Sequence, residues 1–154
     1  MTEPTSSTRR RALIDALRDV AIRAGREILS IYESDFEVRD KGDQSPVTEA
    51  DERAESLILK ALAELAPEIP AVGEESVAAG RLPDISGGRF FLVDPLDGTK
   101  EFISRNGEFT VNIALIESGR PTAGVVHLPA LGQTYWTAGP DDSGKSEAWR
   151  QTGG

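Results

Sequence analysis

The apolar run Phe90-Phe91-Leu92-Val93 most constrains how this chain folds. Four consecutive apolar residues bounded by turn-formers read as a buried strand. The strand is expected to stop at Asp94, because Pro95 has no N–H to give a sheet ladder. Asp97-Gly98-Thr99 then reads as a turn opening a helix, with Asp97 as its N-cap.

Asp94 and Asp97 lie three residues apart on this stiff turn and can converge on hard cations. An all-oxygen set of this kind suits Mg²⁺, which keeps water and substrate phosphate as its other ligands. The Leu96 carbonyl lies between the two acids as a further ligand. The N–H groups of Gly98 and Thr99 point out of the turn, where a phosphate oxygen can dock, and the Thr99 hydroxyl can orient a water. An isolated Asp-x-x-Asp-Gly is more often only a turn, so the motif needs company before it means chemistry.

The chain has 154 residues, enough for one modest domain with a core; 38% hydrophobic and 28% charged residues are those of a globular protein. No apolar run is long enough to span a membrane, and the polar start with its three arginines does not read as a signal peptide. Cysteine is absent, which removes disulfides and thiolate metal sites and fits a cytoplasmic protein. A net charge of −9 argues against a nucleic-acid polymer as partner, but not against a small phosphorylated substrate bridged by cations. His127 is the only histidine, so a His-based zinc site or a Ser-His-Asp triad is a poor expectation.

Residues 1–8 read as a disordered tail, with Arg9-Arg10-Arg11 as a solvated helix start. From Arg9 to Tyr32 the apolar residues fall three or four apart, an amphipathic helix, with Gly25 marking close packing against a neighbour. Phe36 and Val38 suggest a short strand before a polar loop containing Lys41. Thr48 and Asp51 have the spacing of a capping box for a second helix reaching Ala66, with Asp51 in its first turn. Ile69–Val72 reads as a short strand leading to Glu74, and residues 77–88 as loop. Residues 109–117, 122–128 and 134–138 form an antiparallel meander, with His127 on a sheet face and Trp136 packing rather than stacking on a base. Two helices followed by antiparallel strands make the chain α+β. The stretch from Gly139 to Gly154 reads as flexible, with only Ala148-Trp149-Arg150 hinting at a strand.

Asp51, Glu74 and the Asp94/Asp97 pair each have a bland reading, as cap, solvated acid and turn. Glu74 and Asp94, however, each follow an apolar strand. If those strands are neighbours, the acids meet at one rim of the sheet, where they repel unless cations are bound.

Pro46-Val47-Thr48-Glu49-Ala50-Asp51, Gly73-Glu74-Glu75-Ser76 and Asp94-Pro95-Leu96-Asp97-Gly98-Thr99 together resemble the three N-terminal signatures of the inositol monophosphatase superfamily. The run from Lys100-Glu101-Phe102 to Ile116 resembles its 3′(2′),5′-bisphosphate nucleotidase branch, since inositol phosphatases usually carry Thr-Asn-Phe at the first three positions. The resemblance covers residues 10 to 138. It implies the N-terminal half of an αβαβα sandwich like that of fructose-1,6-bisphosphatase. The implied activity is a Mg²⁺-dependent, Li⁺-sensitive phosphomonoesterase cutting adenosine 3′,5′-bisphosphate to AMP and phosphate in sulfate assimilation. Glu74, Asp94 and the Leu96 carbonyl would hold one Mg²⁺, and Asp94 and Asp97 a second. Glu74 would also touch a third near the Lys41 loop. Asp51 and Thr99 would activate the attacking water, and the backbone at Gly98 and Thr99 would receive the phosphate. An inositol monophosphatase is the alternative within the family. A haloacid-dehalogenase phosphatase fits less well, because its paired aspartates are two residues apart.

The family pattern continues into a second α/β half with a Trp-Asp motif, which nothing here matches. The expected consequences are an incomplete second metal site and an exposed apolar sheet face. A catalytically inert chain acting through self-association or a complementing half is the reading from another class. Peripheral association with the inner membrane stays open.

Overall fold

The structure, a computed structural model, describes residues 6–33 and 46–153. Lys41 and the strand expected at Phe36 and Val38 lie outside the described residues. Two long helices, α1 (Ser6–Tyr32) and α2 (Pro46–Leu65), precede a six-stranded sheet. Its strands are β1 (Ala71–Gly73), β2 (Arg89–Asp97), β3 (Thr110–Glu117), β4 (Arg120–Leu128), β5 (Gln133–Pro140) and β6 (Ser146–Thr152). Short helices α3 (Glu74–Ala78) and α4 (Thr99–Ser104) follow β1 and β2. The strands lie side by side in chain order.

The antiparallel meander is present from β2 to β6, and β1 pairs parallel to β2. The 74–88 segment is long enough for the crossover a parallel pair requires. Ser118 and Gly119 both have positive φ and close the β3–β4 hairpin in the primed-turn geometry that matches strand twist.

Both long helices pack on one sheet face. Ile14, Leu17, Ala21, Ala24 and Ile28 of α1, and Ala50, Ala54, Ile58 and Leu62 of α2, meet Phe91, Val93, Val111, Ile113, Leu115 and Val125. Gly25 sits where a Cβ would come within 2.7 Å of the His127 ring, so close packing is indeed its role. His127 is buried and its Nδ1 shares a hydrogen bond with Thr134 Oγ1 at 2.9 Å. The alternate residues of the sheet, Leu92, Val126 and Tyr135, are exposed on the helix-free face, as expected for an uncovered apolar surface.

Several boundaries differ from the sequence reading. Helix α1 begins at Ser6, inside the stretch expected to be disordered. Arg10 donates to the Pro140 carbonyl and Arg11 lies over Trp149, so this start is docked rather than solvated. Trp136 and Trp149 stack on each other, and the Arg18 guanidinium lies 3.5 Å from the Trp136 ring centre. These contacts support β6, in the region expected to be flexible. Pro46 fixes a helical φ at the start of α2, which places Thr48 inside the helix rather than at its cap and Asp51 in the second turn. Glu74 opens α3 instead of lying in a loop.

Strand β2 runs through Pro95 to Asp97 instead of ending at Asp94. Between the Asp94–Asn112 and Asp97–Thr110 pairs, β2 has two residues, Pro95 and Leu96, where β3 has only Val111. This is a β-bulge, and a residue without N–H is tolerated there because the bulge leaves a ladder position unpaired.

Candidate active site

The bulge decides which way the acids face. In a regular strand, residues three apart point to opposite faces of the sheet. Here the extra residue returns Asp97 to the side of Asp94, because their partners Thr110 and Asn112 are two apart on β3. Asn112 confirms the shared side: it lies opposite Asp94, and its Nδ2 donates to Asp97 Oδ2 at 3.4 Å. The Leu96 N–H donates back to the Asp94 carboxylate, which holds the turn. Beyond it, Gly98 rather than Asp97 precedes the first residue of α4. Its φ of 96° is left-handed, and a Cβ there would press on the Phe109 Cα at 3.3 Å, so glycine is required. Behind the turn, Phe102 is buried between Tyr32 and Phe109, with ring centres 5.4 Å from each, which seats α4.

The parallel β1–β2 pair carries Glu74 to the same rim. Gly73 pairs with Val93, so the residues that follow each, Glu74 and Asp94, emerge together. Their carboxyls lie side by side. Burial pushes Asp94 up to about 6, helped by the charge and hydrogen bonding of Glu74 and by the charge of Asp97; the Leu96 N–H opposes the rise. Asp51 reaches the site from α2. Burial raises it to about 7, with further contributions from Glu75, Glu74, Asp94 and Glu55. One buried oxygen of each, Asp51 Oδ1 and Asp94 Oδ1, has no hydrogen-bond partner, nor has Asn112 Oδ1.

The structure thus brings Asp51, Glu74, Asp94 and Asp97 near one another, since Asp51 feels Glu74 and Asp94, and Asp94 feels Glu74 and Asp97. Thr99 is exposed at the start of α4, and no hydrogen bond from it to Asp51 is formed among the described residues, although the family pattern pairs them. Two contributors were missed. Asn112 sits at an ordinary outward position of β3, and only its pairing reveals it. Glu55 is 4% exposed and accepts hydrogen bonds from the Glu75 and Ser76 backbone and from the Ser76 hydroxyl. Its signal was an acid beside Ala54 on the buried stripe of α2.

The site opens onto the helix-free face as a groove of about 750 Å³. Glu74, Asp94 and Asn112 line its polar end, and Leu92, Val126 and Tyr135 its apolar floor. Buried acids that repel one another, with oxygens lacking donors, are a donor set for a hard divalent cation. Among the described residues no three such side chains form a ready-made metal cage. Mg²⁺ does not need one, since one or two carboxylates with water and phosphate suffice.

Residues 9–143 match the profile of the inositol monophosphatase family. The chain is 44% identical over 141 residues to the 3′(2′),5′-bisphosphate nucleotidase CysQ of Salmonella typhimurium, covering 90% of this chain and 54% of that protein. In structure it is similar to CysQ from Bacteroides thetaiotaomicron, with a TM-score of 0.76 and 36% identity over 92% of this chain and 49% of that one. An inositol monophosphatase from Zymomonas mobilis superposes with a TM-score of 0.74 at 28% identity, over 93% and 51% of the two chains. The chain spans about half the length of these relatives.

Proposed function

This chain belongs to the inositol monophosphatase family, and from that premise we propose that it carries the cation-binding part of a phosphomonoesterase site. The substrate would be a small nucleotide, adenosine 3′,5′-bisphosphate, which water cleaves to AMP and phosphate. The observation that carries the reading is the convergence of Asp51, Glu74, Asp94 and Asp97, with unpartnered buried oxygens on Asp51 and Asp94. The name of the nucleotidase relatives supports the substrate, as does the Lys100-Glu101 pair that departs from the inositol phosphatase pattern.

Glu74, Asp94 and the Leu96 carbonyl would hold one Mg²⁺, and Asp94 and Asp97 a second. When bound, such ions supply neutralisation of the phosphoryl oxygens and of the leaving oxygen. The chain's own part is positioning, the larger share of phosphoryl-transfer catalysis. Asp51 would accept from Thr99 in the working arrangement, and the pair would aim the attacking water. The N–H groups at Gly98 and Thr99, held by the left-handed turn and by buried Phe102, receive the phosphate.

The test is phosphate release from adenosine 3′,5′-bisphosphate with Mg²⁺, with and without Li⁺, and with inositol 1-phosphate as competing substrate. Li⁺-sensitive release that Asp94→Asn abolishes is the expected result. Folded, Mg²⁺-loaded protein that releases no phosphate would refute activity in this chain. It would favour the second reading, suggested by the exposed Leu92, Val126 and Tyr135: an inert half that acts by association with itself or a complementing half.

A further inference from the structure

Glu55 has no part in the chemistry above, yet it is the most buried acid near the site. Its Oε1 accepts from the Glu75 N–H at 2.9 Å. Its Oε2 accepts from the Ser76 N–H and the Ser76 hydroxyl, each at 2.9 Å. Those N–H groups belong to the first turn of α3, which has no intrahelical partner for them. The residue at the cap position is Gly73, with no side chain to serve them. A Cβ at Gly73 would displace the Glu55 carboxylate. Helix α3 buries none of its own residues. A side chain from α2 therefore caps α3 from outside, at a sequence distance of 20 residues.

We infer that Glu55 is a positioning residue: through Gly73, Glu75 and Ser76 it fixes Glu74 against Asp94 and so sets the geometry offered to the cation. This rests on the cation-binding role proposed above. An acid is needed because both oxygens must accept. Glutamine has one acceptor oxygen and turns its NH₂ toward a donor.

The experiment is calorimetric titration of the full chain with Mg²⁺, alongside thermal unfolding in EDTA, for wild type, Glu55→Gln, Gly73→Ala and Asp94→Asn. Glu55→Gln is expected to weaken Mg²⁺ binding roughly 10- to 100-fold, as loss of a ligand-orienting partner does. Gly73→Ala displaces the same carboxylate from the other side and is expected to do likewise; it decides the matter if Glu55→Gln does not fold. Mg²⁺ affinity within twofold of wild type in the folded variants, with only the unfolding temperature lowered, overturns the inference and leaves Glu55 a structural cap. Absence of Mg²⁺ binding in wild type, indistinguishable from Asp94→Asn, overturns the cation-binding reading and this inference with it.

Discussion

Replacing Asp51 by asparagine should stabilise the metal-free protein while disabling the site. Asp51 is 8% exposed, and the folded protein holds its proton to about pH 7, against 3.8 for an unperturbed carboxyl. Folding therefore takes up a proton between those values. Stability falls as pH rises through that window, and the whole deficit is present above pH 7. At about 1.4 kcal/mol for each tenfold change in proton binding, the span amounts to on the order of 4 kcal/mol. Asparagine keeps the shape and removes the charge, but its buried amide still lacks a partner for the atom at Oδ1, which takes back about 1–2 kcal/mol. The net gain at pH 8 is about 2–3 kcal/mol, or roughly 5–10 °C in unfolding temperature for a chain of this size. Urea and thermal unfolding in EDTA at pH 4 and pH 8 measure it. Mg²⁺ bound by the neighbouring acids should narrow the gap, because its charge offsets the repulsion that Glu74 and Asp94 exert on the Asp51 carboxylate. Asp51→Asn no more stable than wild type at pH 8, or a gain equally large at pH 4, would refute the electrostatic reasoning.

Burial holds His127 below its ordinary value of 6.5, with Arg26 adding to the effect. The unfolded chain then binds the proton first, so stability is lost as pH falls below about 6.5; His127→Gln should flatten the unfolding profile between pH 7 and 5. Gly25→Ala lies in a helix, where alanine ordinarily stabilises, yet its Cβ would stand 2.7 Å from the His127 ring. It should destabilise by about 1–3 kcal/mol in urea unfolding, and a gain would show that the ring yields freely. Gly98→Ala forces a side chain into left-handed backbone against Phe109. A loss of about 1–2 kcal/mol is expected from the backbone alone, together with weaker phosphate inhibition if the turn receives phosphate.

The helices were legible because apolar residues recur every three or four positions, and β3 because Val111, Ile113 and Leu115 alternate. Asp51, Glu74, Asp94 and Asp97 were legible because each stands beside an element boundary or in a compact turn motif. The docked start of α1 and strand β6 were not. Arg10, Arg11, Arg18, Trp136 and Trp149 gain their order from one another across more than a hundred residues of chain, and no local pattern marks such partners. Pro95 misled for a related reason. A proline's missing N–H ends a regular strand, but whether a bulge accommodates it depends on the neighbouring strand.

By itself, the sequence determined the order of helices and strands, the oxygen-rich character of the site and the family to which the chain belongs. Periodicity and turn chemistry are local properties, written within a few residues. Only the tertiary structure decided that Asp97 shares a face with Asp94, that Glu74 and Asp94 meet, and that Glu55 caps α3 from another helix. Facing and capping of this kind depend on register shifts and hydrogen bonds between distant segments, whose partners are fixed only when the sheet and helices pack.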